Sequence, residues 1–409
     1  MEQANFKVYG YRWIVLSAFM LVVAVNQLLW ITFAPITSKA AHFYGVSDIS
    51  IGLLSMSFMI VYIIMSFPAS WVIDTYGIRI AVGIGAALTG LFGLLRGLEA
   101  ENFTLVFISQ IGIAVGQPFI LNAVTKVAAR WFPIHERATA SGFGTLAMYF
   151  GIFLGLVLTP YLVIGFGISG MLVIYGIISA IIAVVFLGFV KEYPPTPPCS
   201  PEQEVRTLVL DGLKETLKKK DFIFLMLIFF VCLGVFNAVA TWIENIVAPR
   251  GFSITQAGIT GGLMIAGGVV GAIVVPTISD RFRKRIPFLV LSLILATIGF
   301  VGITFTTHYG LLLLSASILG FFLLGAGPIG FQYGAEIAFP APEGTSNGLL
   351  LLMGQISGIS FIFGMDIFKS PVTGSMTLPL MVMIGLMVVS LVISTRLKES
   401  ELITGKGKE

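Results

Sequence analysis

Four residues stand at one repeated spacing and share one chemistry. Trp30 and Phe236 are 206 positions apart, and so are Tyr149 and Gln355. Three offer aromatic faces, and two offer a neutral hydroxyl or carboxamide. Ring faces attract ammonium groups electrostatically, and neutral polar groups orient a ligand without adding charge. Trp30 lies 18 residues past Arg12, roughly 27 Å along a helix, and no charge occurs between Arg12 and Lys39. Tyr149 lies 12 residues past Arg137, roughly 18 Å along. Asn26, Gln117 and Asn122 are further polar residues in apolar surroundings. Each either lines a path or bonds across helices. No Asp, Glu, Lys or Arg falls at the middle of these apolar stretches. A site for organic anions would place a cation there, and a proton-coupled one a titratable group. An uncharged aromatic chamber suits an organic cation such as a quaternary ammonium. The alternative is that the rings only pack helices.

A second set sits where apolar runs end. Asp74, Gly77 and Arg79 in "SWVIDTYGIRIAV" answer Asp280 and Arg281 in "PTISDRFRKRIPF", with Asp74 and Asp280 206 apart. "WFPIHE" at 131–136 answers "FPAPE" at 339–343 at an offset of 207. A carboxylate at a helix end pairs with Arg or with a neighbouring helix N-terminus, and such a pair latches one conformational state. Asp74, Arg79, Arg137, Asp280, Arg281 and Glu336 are the gating candidates; plain charge topology and capping are the alternative.

Apolar elements must position all of these residues. Of 409 residues, 57% are hydrophobic and 11% charged, and the mean hydropathy is +0.99. A soluble domain carries about twice that charge. Twelve runs are long enough to span a bilayer: 12–37, 48–73, 77–97, 103–130, 137–163, 168–190, 222–247, 255–279, 286–306, 309–338, 345–366 and 375–396. The fold class is an all-α membrane protein of two six-helix bundles, 1–190 and 222–409, joined by a linker at 191–221. With the N-terminus inside, only Lys39, Arg96, Arg250 and Lys369 fall outside, so both termini are cytoplasmic by the positive-inside rule. In the linker, Val205, Val209, Leu213 and Leu217 mark an amphipathic or plain linker helix. The first run is too long for a signal peptide. Cys199 and Cys232 are too few for a disulfide framework or metal cluster. A net charge of +4 spread over short loops gives no signal for nucleic acid, and none is expected as a partner. No catalytic nucleophile–base set, metal site or cofactor site is evident. "GIGAALTG" and "GITGGLMIAGG" fit close helix packing.

Two six-helix halves with such loops resemble the major facilitator superfamily, whose sites lie between the halves at the midplane. The superfamily's plan pairs spans 1 and 7 and spans 5 and 11, which implies that Trp30, Phe236, Tyr149 and Gln355 converge. "HFYGVS", "GQPFILNAVTKVAARWF" and "GFFLLGAGPIGFQYGAEIAFPAPEGTSNGLL" are similar to the feline leukaemia virus subgroup C receptor-related family, solute carrier family 49. The resemblance runs over nearly all spans and is that of a compact prokaryotic relative. It implies alternating access and a choline, ethanolamine or haem substrate. The family's choline site uses a span 1 Trp, matched by Trp30, and a span 11 Gln, matched by Gln355. Phe236 stands where the family has Tyr, and Tyr149 where it has Gln. The expected protein is a monomeric, multi-pass plasma-membrane carrier of a small organic cation, with the lipid bilayer as its other partner. Its alternatives are a haem or porphyrin carrier, a monocarboxylate-type anion carrier and a non-transporting receptor.

Overall fold

The computed structural model describes residues 8–196, 216–339 and 343–400, and among them the chain is helical with no strand. Helices follow from the composition: in hydrocarbon only a helix or a closed barrel satisfies every backbone N–H and C=O. Among the described residues, ten helical stretches are long and apolar enough to cross a membrane. Of the linker helix expected in 191–221, Val205, Val209 and Leu213 lie outside the described residues, as does Pro340, and Leu217 falls in a turn before the next helix.

The chain forms two compact units. The first comprises Met1–Phe33 and Lys39–Arg206, and the second Ala34–Ser38 and Thr207–Glu409. In the first, α1 is Tyr11–Ile31, α2 Thr37–Tyr44 (its Thr37 and Ser38 counted with the second), α3 Asp48–Leu98, α4 Phe103–Leu121, α5 Val124–Trp131 and α6 Ile134–Phe189. In the second, α7 is Lys220–Thr241, α8 Ile243–Val247, α9 Ile254–Phe282, α10 Ile286–Phe305, α11 Tyr309–Ala338, α12 Glu343–Ile367 and α13 Thr377–Ser394.

Small residues set the packing in both units, as expected where lipid supplies no hydrophobic drive between helices. Gly151 and Gly155 of α6 lie against the backbone of Ala24 and Leu28 on α1. Gly85 and Gly116 bring α3 and α4 together, a Cβ on either falling 2.7–2.8 Å from the other's carbonyl oxygen. In the second unit Gly234 of α7 meets Ser357 and Phe361 of α12, and Gly271 and Gly320 join α9 to α11. The Leu28–Gly155 contact reappears 206 positions on as Gly234–Phe361, with large and small residues exchanged.

The backbone repeats more faithfully than the side chains. Six described residues have positive φ, and they form three pairs: Gly45 with Gly251, Gly77 with Arg283, and Gly167 with Gly374. The offsets are 206, 206 and 207. The helix N-caps repeat as well: Ser47 with Ser253, and Asn102 with His308, both at 206. Gly77 and Gly167 lie inside α3 and α6, which run 51 and 56 residues through them. Their mates fall in the connections α9–α10 and α12–α13. One extra residue, Lys284, follows Arg283 and opens the turn that stays closed after Gly77. At 1.5 Å per residue α3 would measure roughly 77 Å, more than twice a bilayer core, were it straight.

Three expected spans are broken. Span 1 stops as a helix at Ile31, four residues before Pro35, whose ring would clash with the Ile31 carbonyl. Span 4 divides at Asn122, whose side chain turns to three partners on α3. Span 7 divides at Trp242, whose indole N–H donates to the Ile362 carbonyl at 3.0 Å. Arg96, assigned by charge to the outer surface, is instead fully buried (0% exposed).

Candidate functional site

The seven candidate polar and aromatic residues separate by how their hydrogen-bonding groups are used. Asn26 is fully buried. Its Nδ2 donates to Thr89 Oγ1 at 3.1 Å and to the Ile113 carbonyl at 3.4 Å, and its Oδ1 accepts from Gln27. Asn122 donates to Ser66 and Ser70 at 3.0 Å and accepts from Tyr62 Oη at 2.7 Å. Both therefore tie helices of the first unit together. Gln117, Tyr149 and Gln355 differ: among the described residues none has a side-chain hydrogen-bond partner. Tyr149 and Gln355 are half-buried, and Gln117 is buried on α4.

Trp30 occupies the last turn of α1, just before the break. It is 6% exposed, and its indole N–H donates to the Ser55 carbonyl on α3 at 3.2 Å. Its polar edge is thereby satisfied. Tyr149 rises from α6 beside the glycine-lined contact with α1. In the second unit, Asn237 Nδ2 on α7 donates to the Gly354 carbonyl on α12 at 3.1 Å. Asn237 follows Phe236, and Gly354 precedes Gln355. This bond ties together the turns of α7 and α12 that carry the two candidates of the second unit. Asn237 is not among the residues expected from the sequence, although an Asn in an apolar run is itself a signal.

Glu244 of α8 is 4% exposed. Its Oε2 accepts from the Ser38 backbone N–H at 2.7 Å and from Ser38 Oγ at 2.9 Å, a pair of bonds at the first turn of α2 and within the second unit, to which Ala34–Ser38 belongs. A carboxylate there also complements the helix dipole.

The gating candidates find partners, though not always those expected. Asp74 pairs with Lys126 of α5 at 2.5 Å rather than with Arg79. Asp280 pairs with Arg285, and Arg281 is exposed. Arg285 also reaches Glu336 of α11 at 3.2 Å. Burial works to lower the Arg285 pKa, but the hydrogen bonds and charges of Asp280 and Glu336 outweigh it and raise it. Arg137 donates to the carbonyls of Phe132 and Ala129. Glu136 takes Arg12 at 3.0 Å.

Two carboxylates missed in the sequence complete these ends. Glu192 accepts from the N–H groups of Ile78 and Arg79 at 3.1 and 2.7 Å, and Arg130 stands 3.5 Å from it. Glu399 accepts from the N–H groups of Arg285 and Ile286 at 3.0 Å. All three positions are related by 207: Ile78 to Arg285, Arg79 to Ile286, Glu192 to Glu399. Each carboxylate caps the helix that follows a positive-φ turn. At Gly77 the approach is so close that a Cβ would overlap the Glu192 carboxylate. Glu192→Ala and Glu399→Ala are each expected to destabilise by about 1–2 kcal/mol, read as a lower melting temperature in detergent. An unchanged melting point in both variants would remove the capping role.

Among the described residues no group of three His, Cys, Asp or Glu is arranged to hold a metal.

Two glycine-packed helical units with paired backbone turns define a membrane carrier of the major facilitator class. The major facilitator superfamily model matches residues 17–362, and the chain belongs to that superfamily. Within it, the chain belongs to solute carrier family 49. Solute carrier family 49 member A3 of Xenopus tropicalis is 31% identical over 379 residues, covering 88% of this chain and 78% of that one. The choline/ethanolamine transporter FLVCR2 of Homo sapiens is 29% identical over 376 residues, covering 87% and 71%. Among solved structures, a bacterial homologue of the lysosomal transporter Spinster superimposes with a TM-score of 0.75 at 16% identity, covering 96% of this chain and 98% of that one. The nucleoside transporter NupG gives 0.72 at 14% identity, covering 94% and 99%. These two show the fold alone. The protein is a multi-pass membrane transporter of small molecules and not an enzyme, as its relatives are.

Proposed function

We propose that the chain is a facilitative, alternating-access carrier of a small organic cation of the choline or ethanolamine type. Trp30 and Tyr149 of the first unit and Phe236 and Gln355 of the second contact the solute. One observation carries the reading: at repeat-related positions, the Tyr149 hydroxyl and the Gln355 amide remain unengaged, while Asn26 and Asn122 are consumed by the fold. The name of the FLVCR2 relative supports the substrate class. Gln117 is a further contact on the same criterion.

The reading includes twelve spans, α3 and α6 each counting as two because Gly77 and Gly167 match the inter-helix turns at Arg283 and Gly374. It assigns residues 1–190 and 222–409 to two six-helix bundles. It places both termini in the cytoplasm and a monomeric protein in the plasma membrane. Asp74, Arg79, Arg137, Asp280, Arg281 and Glu336 serve gating.

The test is uptake into proteoliposomes of labelled choline, ethanolamine, haem and lactate. Saturable choline or ethanolamine uptake is expected. Uptake of lactate or haem instead would overturn the substrate class. In the same vesicles Asp74→Asn should slow uptake while leaving equilibrium binding unchanged; lost binding in a folded variant would refute the gating role.

A further inference from the structure

We infer that Arg96 and Gln110 are positioning residues that fix Trp30, an inference that rests on Trp30 contacting the solute as proposed above. Helix α1 stops at Ile31 because of Pro35, so its last turn needs donors from outside the helix. Two converge on one carbonyl. Arg96 Nη1 donates to the Leu29 oxygen at 3.2 Å, and Gln110 Nε2 donates to the same oxygen at 3.2 Å. Arg96 Nη1 also donates to Gln110 Oε1 at 2.6 Å, which closes the triangle. On the far side of the break, the Arg96 guanidinium lies 5.6 Å from the Phe33 ring centroid. The residues flanking Trp30 on both sides are thus held by a single side chain.

A buried guanidinium in an apolar bundle is costly unless carbonyls or counter-charges receive it. Arg96 is 0% exposed, and its Nη1 donates to a carbonyl and a carboxamide. The negative end of the α1 dipole adds to this compensation, while Nε and Nη2 have no hydrogen-bond partner among the described residues. The indole has its own anchor, the bond to the Ser55 carbonyl. One anchor fixes the helix turn that carries Trp30, and the other fixes the rotation of its ring. The fold alone does not demand this arrangement. The repeat places Gly302 or Ile303 at the position of Arg96, and Ala316 at that of Gln110. The second unit makes the same helix crossings with apolar residues there.

The test uses the full chain labelled with 5-fluorotryptophan in lipid nanodiscs, with choline as the probe. Trp30→Phe assigns the Trp30 fluorine signal. In Gln110→Ala and Arg96→Lys that signal should shift and broaden, while those of Trp131 and Trp242 hold. Choline affinity should fall about tenfold in Gln110→Ala, the worth of a hydrogen bond to a charged group. Gln110→Glu, which keeps the acceptor for Arg96 but loses the donor to the Leu29 carbonyl, should recover only part of that loss. An unmoved Trp30 signal in both Gln110→Ala and Arg96→Lys would overturn the inference. A displaced signal with unchanged choline affinity would uphold the positioning and refute the solute contact instead. Should Arg96→Lys fail to fold, the two Gln110 variants decide the question.

Discussion

Trp30→Ala is expected to weaken choline binding roughly thirtyfold or more, because a desolvated cation–π contact is worth about 2 kcal/mol and each decade of affinity 1.4 kcal/mol. The ring is suited to the role because its polar edge is already satisfied by Ser55, so only its faces are on offer. Trp30→Phe should retain part of the affinity through a weaker face. Phe236→Tyr, the residue found in the family's choline site, should preserve or improve it. The informative control is a neutral isostere of choline, binding weakly to the wild type and little worse to Trp30→Ala. Equal losses for cation and isostere would make the ring a shape-filling wall and end the cation assignment. Isothermal titration on purified protein in nanodiscs reads all six affinities.

Gly271→Val and Gly320→Val should each abolish most folded protein. A Cβ on Gly271 would overlap the Phe321 carbonyl oxygen, and one on Gly320 the Met264 carbonyl oxygen. Overpacking against side chains costs about 1–3 kcal/mol. Here the neighbour is backbone on the facing helix, which cannot step aside by changing rotamer, so α9 and α11 must separate. Fluorescence-detected size exclusion and the melting temperature are the readouts. Gly385→Val is the matched control, since nothing lies within 4 Å of its added Cβ; it should melt within a degree or two of wild type. A Gly271→Val variant as stable as that control would show that the α9–α11 contact is loose.

The repeat was legible because it is written in residue types: Asp74 with Asp280, and Phe132 with Phe339. The helices were legible because an apolar run of that length has few other ways to satisfy its backbone. What escaped depended on direction. Burial of Arg96 follows from which face of α3 meets α4 and the end of α1, and charge counting places any Arg near a helix end at the surface. Glu192 and Glu399 looked like ordinary linker and tail charges. Their role needs a turn more than a hundred residues earlier to come within reach. Asn26 and Asn122 looked identical to Gln117 and were separated only by their partners. Arg283 is the instructive case: it shares a left-handed turn with Gly77, yet no glycine announces it.

The two capping carboxylates also bear on biosynthesis. Glu192 lies 114 residues after Ile78, and Glu399 lies 114 after Arg285. A ribosome adding about 5–20 residues per second leaves each turn uncapped for roughly 6–23 s. A chain that stalls before Glu192, or before Glu399, exposes bare N–H groups at the first turn of a helix already made. Each half thus withholds closure of one of its early turns until its own last helix has been synthesised.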